Sequence, residues 1–561
     1  MPDLSDLTYQ RPDLDQVENQ LRRARLHLRL AMSAPSALAA VQDMERVTGQ
    51  YRLAKALATV ACLRGGQTGM EHGEELDFFG RAEGRYLHHL QQFFAALASS
   101  RYRAELETQI GRLTFETAGR FRYSFQPEAA QEMARERQLV AEYRQFIDGL
   151  RVRLDGQDQT LDQIALTLRS PDRALRRQAA LALDDSLAAY AQDLDEHCDN
   201  LIKCRQQVAS RLGLDSFAEL AARRQDGLLQ NRAAIEQVRT TVIRYLVPAA
   251  REARRLQKRR LNVALLAWYD LPCLFPGGDL QLASSLPDSL ERAGRALRSL
   301  SGAAPSLIED LLSGGYLAVA EDPSQIEQAA WVDLPAPAMP FVHVRSAGSS
   351  RDLFQALTVI GQAYGAVRSR EGAGSDSLVP PDGLLRQVQG QTFTLLLLPQ
   401  LTDVIGPVHD DAVMLHLTEQ LLDLPRVCLL DEFASGLYQN QLLTADERNA
   451  LWLNLEKRYL PDLDYEQMPC LTSGRAWQLE TAFWADPFAA ITPGLAALTS
   501  LDYLGQIRRN PASAWRRFDK LCTQSEQIPA GDLLSEMGFA SPVDPDTVKK
   551  AAYVLCDSLS L

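Results

Sequence analysis

The feature of this 561-residue chain that most restricts its fold is a helical periodicity over most of its length. Apolar side chains recur three and four residues apart in long stretches separated by short turn signals, whereas strand signals are scarce. The predicted helices span residues 13–32, 35–63, 71–99, 127–150, 171–185, 195–212, 216–224, 231–265 and 351–370, and helices continue from about residue 411 to the end. The predicted strands are residues 315–320, 329–332 and 341–344. The predicted fold class is mostly α, with one small β-sheet beside one central helix.

Charge and composition exclude several classes of partner. With 59 Lys and Arg against 72 Asp and Glu, the net charge is −13, so the positive surface that nucleic-acid binding requires is missing. One basic cluster, residues 251–260, is predicted to be the solvated face of a helix. No apolar run approaches a membrane span, no signal peptide is evident, and the eight cysteines are dispersed as in reduced proteins. We therefore predict a cytoplasmic protein that binds neither nucleic acid nor membrane.

The predicted central helix, residues 351–370, has two different faces. Rotation by about 100° per residue places an apolar stripe on the side that must face a core. This stripe consists of Leu353, Ala356, Leu357, Ile360, Ala363, Tyr364 and Val367. Thr358 and Gln362 lie side by side on the opposite face, because they are four residues apart.

At this helix the sequence resembles the oligoendopeptidase F branch of the thimet-oligopeptidase-like zinc peptidases, which are gluzincins. In that family the helix carries the motif H-E-x-G-H-A, with two His zinc ligands four residues apart and a Glu base between them. Gly361 and Ala363 match this motif. Its His, Glu and His positions hold Thr358, Val359 and Gln362.

Further landmarks extend the resemblance over roughly residues 160–550. Residues 340–349 resemble the family's edge strand, P-F-x-F-x-N-F-x-G-T, and residues 314–316 resemble its G-G-Y element. Other matching segments, in the family's order, are residues 170–176, 269–270, 275–279, 431–433, 446–448, 452, 455–461, 464–465, 477–478, 487–488, 514–515, 521–522 and 541–542. The resemblance implies a helical clam-shell with a deep channel, in which an extended peptide pairs with the edge strand. We expect an N-terminal helical region, residues 1–160, and a degenerate peptidase-like domain, residues 161–561.

The resemblance also implies that the zinc chemistry has been lost. Thr358 and Gln362 would be poor zinc ligands in place of imidazoles, and Val359 cannot act as a general base. The family's third ligand is a Glu on the next helix, but residues 372–418 contain no Glu. The late His and Tyr residues that stabilise the oxyanion in the family correspond to Ala482, Ala489 and Pro493 here. We therefore predict no catalytic residue, no metal site and no cofactor.

No other group in the sequence forms an evident active site. His343 lies on the predicted edge strand and is typical of a structural histidine. Ser435 has no evident base to activate it, and His197 with Cys198 and Cys204 has no fourth metal ligand nearby.

Two functional hypotheses follow. The first is an inactive pseudopeptidase that binds a peptide or a protein partner, such as an active peptidase relative, in a hetero- or homo-oligomer. Its predicted binding residues are Tyr316, Phe341, Val342, His343, Val344, Arg345 and Gly348. Arg345 replaces the family's Asn and is expected to pair either with an acidic group of the ligand or internally. The second hypothesis is a repurposed, metal-independent enzyme that acts on a peptide or peptide-like metabolite. A purely structural role is the remaining alternative.

Overall fold

The computed structural model describes residues 3–64, 70–225, 227–300, 307–321, 328–373, 378, 383–440 and 443–561. The helices before the central sheet are α1 (Leu14–Leu30), α2 (Ala34–Arg64), α3 (Met70–Ala98), α4 (Arg103–Ile110), α5 (Arg112–Ser124), α6 (Ala130–Gly149), α7 (Leu161–Thr167), α8 (Arg173–Arg211), α9 (Phe217–Arg224), α10 (Arg232–Arg260), α11 (Leu286–Leu300) and α12 (Leu307–Ser313). The helices after it are α13 (Ser350–Ala373), α14 (Gly383–Leu397), α15 (Thr402–Ile405), α16 (His409–Gln439), α17 (Ala445–Tyr459), α18 (Thr481–Ala485), α19 (Thr492–Arg509), α20 (Pro511–Thr523), α21 (Ala530–Glu536) and α22 (Pro545–Leu559). The strands are β1 (Val152–Leu154), β2 (Gln157–Gln159), β3 (Leu317–Glu321), β4 (Gln328–Val332) and β5 (Phe341–Ser346). The predicted, mostly α fold class is confirmed.

The first helices pack around a core of their own. Apolar residues of α1, α2, α3 and α5 form it, among them Leu21, Leu28, Val41, Met44, Phe93, Phe94, Leu97 and Phe115. Helix α1 begins at Asp13, whose carboxylate accepts hydrogen bonds from the backbone N–H groups of Asp15 and Gln16. Helix α6 also precedes residue 160, but it packs on α8 and belongs to the main core. The predicted division of the chain at residue 160 stays a prediction.

The central sheet consists of β3, β5 and β4 in that order. Strand β5 lies in the middle, parallel to β3 and antiparallel to β4, with Val342 opposite both Leu317 and Trp331. The prediction that residues 341–344 form an edge strand is therefore wrong. Sequence periodicity identifies strands, but it does not determine their order, which depends on pairing between segments far apart in the chain.

Helix α13 connects the sheet to the C-terminal helices through unusually close packing. A Cβ atom built on Gly361 would lie 2.5 Å from Cβ of Phe393 and 2.9 Å from Cα of Gly390. A Cβ atom on Gly390 would lie 2.4 Å from the carbonyl oxygen of Thr358. Since real Cβ atoms do not approach this closely, glycine is required at both positions for α13 and α14 to touch.

Most predicted helices are confirmed with ends that differ by a few residues, and some predictions are wrong. The helix predicted from residue 171 toward residue 185 continues into the one predicted over residues 195–212, so that both form α8, which is capped by Asp172. Helices α4, α5, α7, α11, α12, α14 and α15 were not predicted. The prediction of a loop over residues 371–383 is wrong at its start, because α13 continues to Ala373, and residues 374–377 and 379–382 lie outside the described residues. Among the helices described, none is both long enough and apolar enough to cross a membrane.

Candidate functional site

The polar face of α13 is held by hydrogen bonds within the protein. The hydroxyl of Thr358 donates to the backbone carbonyl of Phe354 at 2.9 Å and lies 3.0 Å from the hydroxyl oxygen of Thr394 on α14. The side-chain oxygen of Gln362 accepts a hydrogen bond of 3.0 Å from the indole N–H of Trp331 on β4. Both side chains therefore serve as links between α13 and its neighbours.

These residues do not fit a zinc ion. Zinc in peptidases of this fold type requires imidazole and carboxylate donors, whereas Thr358 and Gln362 offer a neutral hydroxyl and a neutral amide that already have partners. Helix α14, which packs beside them, carries no acidic residue. In the described part of the chain, no group of three or more His, Cys, Asp or Glu side chains is arranged to hold a metal ion.

A chamber of about 630 Å³ borders this face of α13. One wall is formed by Gln355, Thr358 and Val359 of α13 together with Ala329 of β4. Val359, at the position of the family's general base, is almost completely buried in that wall. The structure thus brings the degenerate motif to a cavity, next to a strand at the edge of the sheet.

The opposite wall of the chamber comes from α16, which the sequence analysis did not connect with the site. It contributes His416, Glu419, Asp423 and Arg426. These residues are three or four positions apart, so they form a polar stripe along one face of the helix. That spacing indicates a polar face on α16, but it does not indicate that this face meets α13.

The charges of the chamber are compensated in pairs. Arg351 pairs with Asp279 and, at 2.5 Å, with Glu419. Arg426 donates to Asp423 at 3.0 Å and to Glu480 at 2.6 Å. Glu480, followed by Asp423, raises the pKa of Arg426 above its ordinary value. The chamber wall therefore contains many charged side chains, but their charges nearly cancel.

His416 is a neutral histidine in this charged wall. Its ring stacks on Phe354 with 4.5 Å between centroids, and one ring nitrogen lies 3.0 Å from the side-chain nitrogen of Gln420. Burial lowers the pKa of His416 to about 4. In the described part of the chain no hydroxyl or thiol is hydrogen-bonded to the ring, so no nucleophile and base are assembled there.

Two of the three positions that correspond to the oxyanion-stabilising residues lie on a different cavity. Ala489 and Pro493 line a space of about 430 Å³ together with Gln387 of α14 and Arg205 of α8. Ala482 is exposed on α18 and lines neither cavity. None of the three side chains can donate a hydrogen bond, so this region offers no side-chain oxyanion donor at these positions.

The predicted peptide-binding residues lie mainly in the core. Tyr316, Phe341, Val342 and Val344 are buried, and β5 is paired along both edges. Their backbone groups are therefore not free to pair with a peptide. Gly348 has a φ of +88°, and its backbone N–H donates to Ser346. The strand edge nearest to the chamber belongs to β4 instead.

Arg345 and His343 are both accommodated within the fold. Arg345 donates to Asp162 at 3.4 Å and to the side chain of Gln328 at 2.6 Å. The internal alternative for Arg345 is therefore the one observed. Burial, followed by the nearby Arg345, lowers the pKa of His343, which favours its neutral form.

Ser435 and the basic cluster are also explained by their surroundings. The hydroxyl of Ser435 donates to the carbonyl of Asp431 at 2.8 Å and accepts from Arg232 and Arg239, so it is a structural group. The prediction that the whole cluster 251–260 is solvated is wrong for Arg254, which is half-buried. Its neighbours on the inner face of α10 pack against the core, and the helical period turns Arg254 with them.

Comparisons with known proteins agree with this architecture. Residues 4–120 match the family model of the peptidase M3 N-terminal domain. The whole chain superposes on a structure described as an oligoendopeptidase F with a TM-score of 0.91 and 25% identity, over 100% of this chain and 99% of the other. PZ peptidase A with an inhibitor superposes with a TM-score of 0.90 and 22% identity, over 99% of this chain and 99% of the other. A Bacillus anthracis strain Ames protein described as an oligoendopeptidase F superposes with a TM-score of 0.86 and 22% identity, over 100% of this chain and 98% of the other.

No curated protein sequence matches the chain. The likeness to known proteins therefore rests on the N-terminal family model and on the fold of the entire chain. These two findings agree with the ordered landmarks of the sequence, from the G-G-Y element at residues 314–316 to the degenerate motif on α13. The chain therefore has the fold of the oligoendopeptidase F structures along its whole length, and its residues 4–120 match the peptidase M3 N-terminal domain.

Proposed function

We propose that this chain is a catalytically inactive pseudopeptidase that binds an extended peptide, or an extended segment of a protein partner, without cutting it. The observation that carries the proposal is the replacement of the motif's His, Glu and His by Thr358, Val359 and Gln362 on an otherwise intact α13. A partner segment from an active peptidase relative falls within the same class of ligand.

The loss of hydrolysis follows from the chemistry of the residues that line the site. Metal-assisted hydrolysis of a peptide requires an activated water, a base to accept its proton and a stabilised oxyanion. Thr358 and Gln362 are neutral and already bonded, and the valine at 359 cannot accept a proton. With Ala489 and Pro493 in the adjoining region, each of the three requirements lacks its usual side chain.

Retention of a binding role is supported by the chamber that remains. A space of about 630 Å³ is lined on one side by α13 and Ala329, and on the other by the charged stripe of α16. Among the strands described, β4 pairs only with β5, so its other edge has backbone groups that an added strand can satisfy. Strand addition of this kind gives affinity through backbone hydrogen bonds and selectivity through side-chain pockets.

The test combines binding with cleavage. Fluorescein-labelled extended peptides of mixed sequence are incubated with the protein, with and without added Zn²⁺, and are followed by fluorescence anisotropy and mass spectrometry. We expect saturable binding to intact peptides and no new fragments. Cleavage that a chelator abolishes would overturn the assignment of inactivity, and the absence of binding by any peptide would overturn the binding role.

A matched pair of variants locates the peptide. Ala329→Phe fills part of the chamber, whereas Ala330→Phe places the same ring on the other face of β4, because successive side chains in a strand alternate. We expect Ala329→Phe to weaken peptide binding by about tenfold or more, and Ala330→Phe to leave it within about twofold. Equal effects of the two variants would place the peptide elsewhere.

A further inference from the structure

Another cavity, of about 400 Å³, lies between α10, α16 and α17, away from the degenerate motif. Its wall is largely aromatic and aliphatic, with Val247, Leu266, Trp268, Leu271, Leu422, Leu429, Trp452, Tyr459, Leu460 and Tyr465 among its members. Protein cores normally close voids of this size, whereas small-molecule sites are concave, mostly apolar and supplied with a few polar groups. The shape and lining of the cavity therefore resemble a ligand site more than a packing defect.

One charged group in this wall, Arg254, makes its hydrogen bonds to neutral partners, and the carboxylate that acts on it, Glu419, is not bonded to it. Arg254 donates to the side-chain oxygen of Gln257 at 2.6 Å and to the backbone carbonyl of Leu271 at 2.9 Å, both of which are neutral. Within the described part of the chain it forms no ion pair. Desolvation lowers the pKa of Arg254 to about 10, so the guanidinium keeps its charge at neutral pH.

Most other charged groups around the cavity are compensated or exposed, and Lys258 is half-buried without an ion pair in the described part of the chain. Arg251 pairs with Asp462, and Arg426 pairs with Glu480. Arg255 pairs with Glu252 at 3.0 Å and is largely exposed. A half-buried cation without a bonded carboxylate is unfavourable unless an anion reaches it. Within the ranges described, Arg254 and Lys258 are the basic residues of the wall that combine partial burial with the lack of an ion pair, and Arg254 is the one whose side chain is fixed by hydrogen bonds to neutral groups.

The acidic residues of the wall do not neutralise Arg254. The lining contains five basic residues, Arg251, Arg254, Arg255, Lys258 and Arg426, and three acidic ones, Glu456, Asp462 and Glu480. Asp462 and Glu480 are bonded to other arginines. Glu456 is bonded to the hydroxyl of Tyr465, and desolvation raises the pKa of its carboxyl group. The cavity is therefore electropositive as well as apolar.

We propose that this cavity binds a monocarboxylate with an apolar, preferably aromatic, body, with the carboxylate on Arg254 and the body between Trp268, Trp452 and Tyr459. Arginine presents parallel N–H donors that match a carboxylate, and the rings of the wall match a flat apolar group. The carboxylate belongs either to a free small acid or to the C-terminal residue of a peptide. This site is independent of the proposed pseudopeptidase function.

Titration calorimetry with the full chain tests the proposal and separates the two sources. The probes are 3-phenylpropionate and its primary amide, and a tripeptide ending in Phe with a free or an amidated C-terminus. We expect both acids to bind and both amides to bind at least about tenfold more weakly, because the amides lack the charge. Binding of 3-phenylpropionate alone identifies a free acid as the ligand, and stronger binding of the tripeptide acid identifies a peptide C-terminus.

Two variants and one control assign the site. Arg254→Gln removes the charge but keeps a hydrogen-bond donor, and Ala250→Leu reduces the volume of the cavity. Arg259→Gln is the control, since Arg259 lies on the same helix, is 69% exposed and does not line the cavity. We expect about tenfold weaker binding of the acids by the first two variants and no change in the control.

Several outcomes would overturn the proposal. They are equal binding of acid and amide, unchanged affinity in Arg254→Gln, or no heat of binding for any probe up to about 10 mM. The melting temperature of each variant is measured first. If Arg254→Gln is unfolded, Ala250→Leu decides the outcome, because it leaves every charged group of the wall in place.

Discussion

The two faces of α13 have been kept under different constraints. On the side that packs against α14, Gly361 has kept its motif residue, and any larger side chain would overlap with Phe393 and Gly390. Thr358 and Val359 line the chamber and Gln362 bonds Trp331 beside it, and all three differ from the residues of the motif that the helix resembles. The packed face is restricted by shape, which folding requires whatever the protein does. The chamber face of an active peptidase is restricted by chemistry, and the pseudopeptidase that we propose has no such restriction.

The strongest test of this contrast is Gly361→Ala. The added Cβ atom would meet Phe393 Cβ at 2.5 Å, so α13 and α14 must separate, and we expect a loss of about 2–4 kcal/mol of unfolding free energy. Gly505→Ala on α19 is the matched control, because a Cβ atom there meets nothing within 4 Å. In that control we expect a gain of up to about 1 kcal/mol from the lower chain entropy of alanine. Urea denaturation measures both, and equal stability of the two variants would contradict the packing interpretation.

A smaller effect is expected on the chamber face, at His416. Its pKa is lowered to about 4 in the folded protein, against about 6.5 in an unfolded chain. As the pH falls from about 6.5 to about 4, the unfolded state gains a proton that the folded state does not bind, so stability is lost over this range. Because the ring is partly exposed, we expect a loss of about 1–3 kcal/mol.

The variant His416→Gln should lack this part of the pH dependence. Unfolding free energies at pH 7, 5.5 and 4.5 measure it, and His27→Gln on the exposed side of α1 is the control. A variant that loses as much stability between pH 7 and 4.5 as the wild type would show that His416 is not the titrating group.

A still smaller effect is expected for Thr358→Val, which has nearly the same shape but no hydroxyl. The variant loses the hydrogen bond to Phe354 and the contact with Thr394, although Thr394 keeps its own bond to Gly390 at 3.2 Å. We expect a loss of about 1 kcal/mol, measured by urea denaturation. A loss as large as that of Gly361→Ala would mean that the two faces are not constrained differently.

The smallest effect should come from restoring the motif. The triple variant Thr358→His, Val359→Glu, Gln362→His still lacks an acidic residue on α14 and oxyanion donors at Ala489 and Pro493. Each missing donor of this kind reduces the rate by about 10²–10³, so we expect no measurable peptide hydrolysis. Elemental analysis should find well below one zinc per chain in the wild type. Substantial cleavage by the triple variant would show that the later elements have been assigned to the wrong residues.

The sequence allowed the helices and the degenerate motif to be predicted because both depend on short spacings. The stripe that includes Leu353 and Leu357 identifies α13 without knowledge of the rest of the chain. The position of β5 in the middle of the sheet could not be predicted, since it depends on partners on both sides. The wall formed by His416 and Glu419 was missed because nothing local indicates that α16 faces α13 across a cavity.

Arg426 has a position with a consequence for how ligands influence each other. It lines the chamber, the cavity of about 400 Å³ between α10, α16 and α17, and a space of about 450 Å³ that shares lining residues with both. Its guanidinium is bonded to Asp423 and Glu480. A ligand that changes the bonding of Arg426 from one side therefore changes the free energy of binding on the other. Such coupling is reciprocal by thermodynamic necessity, so each ligand would alter the affinity of the other by the same factor.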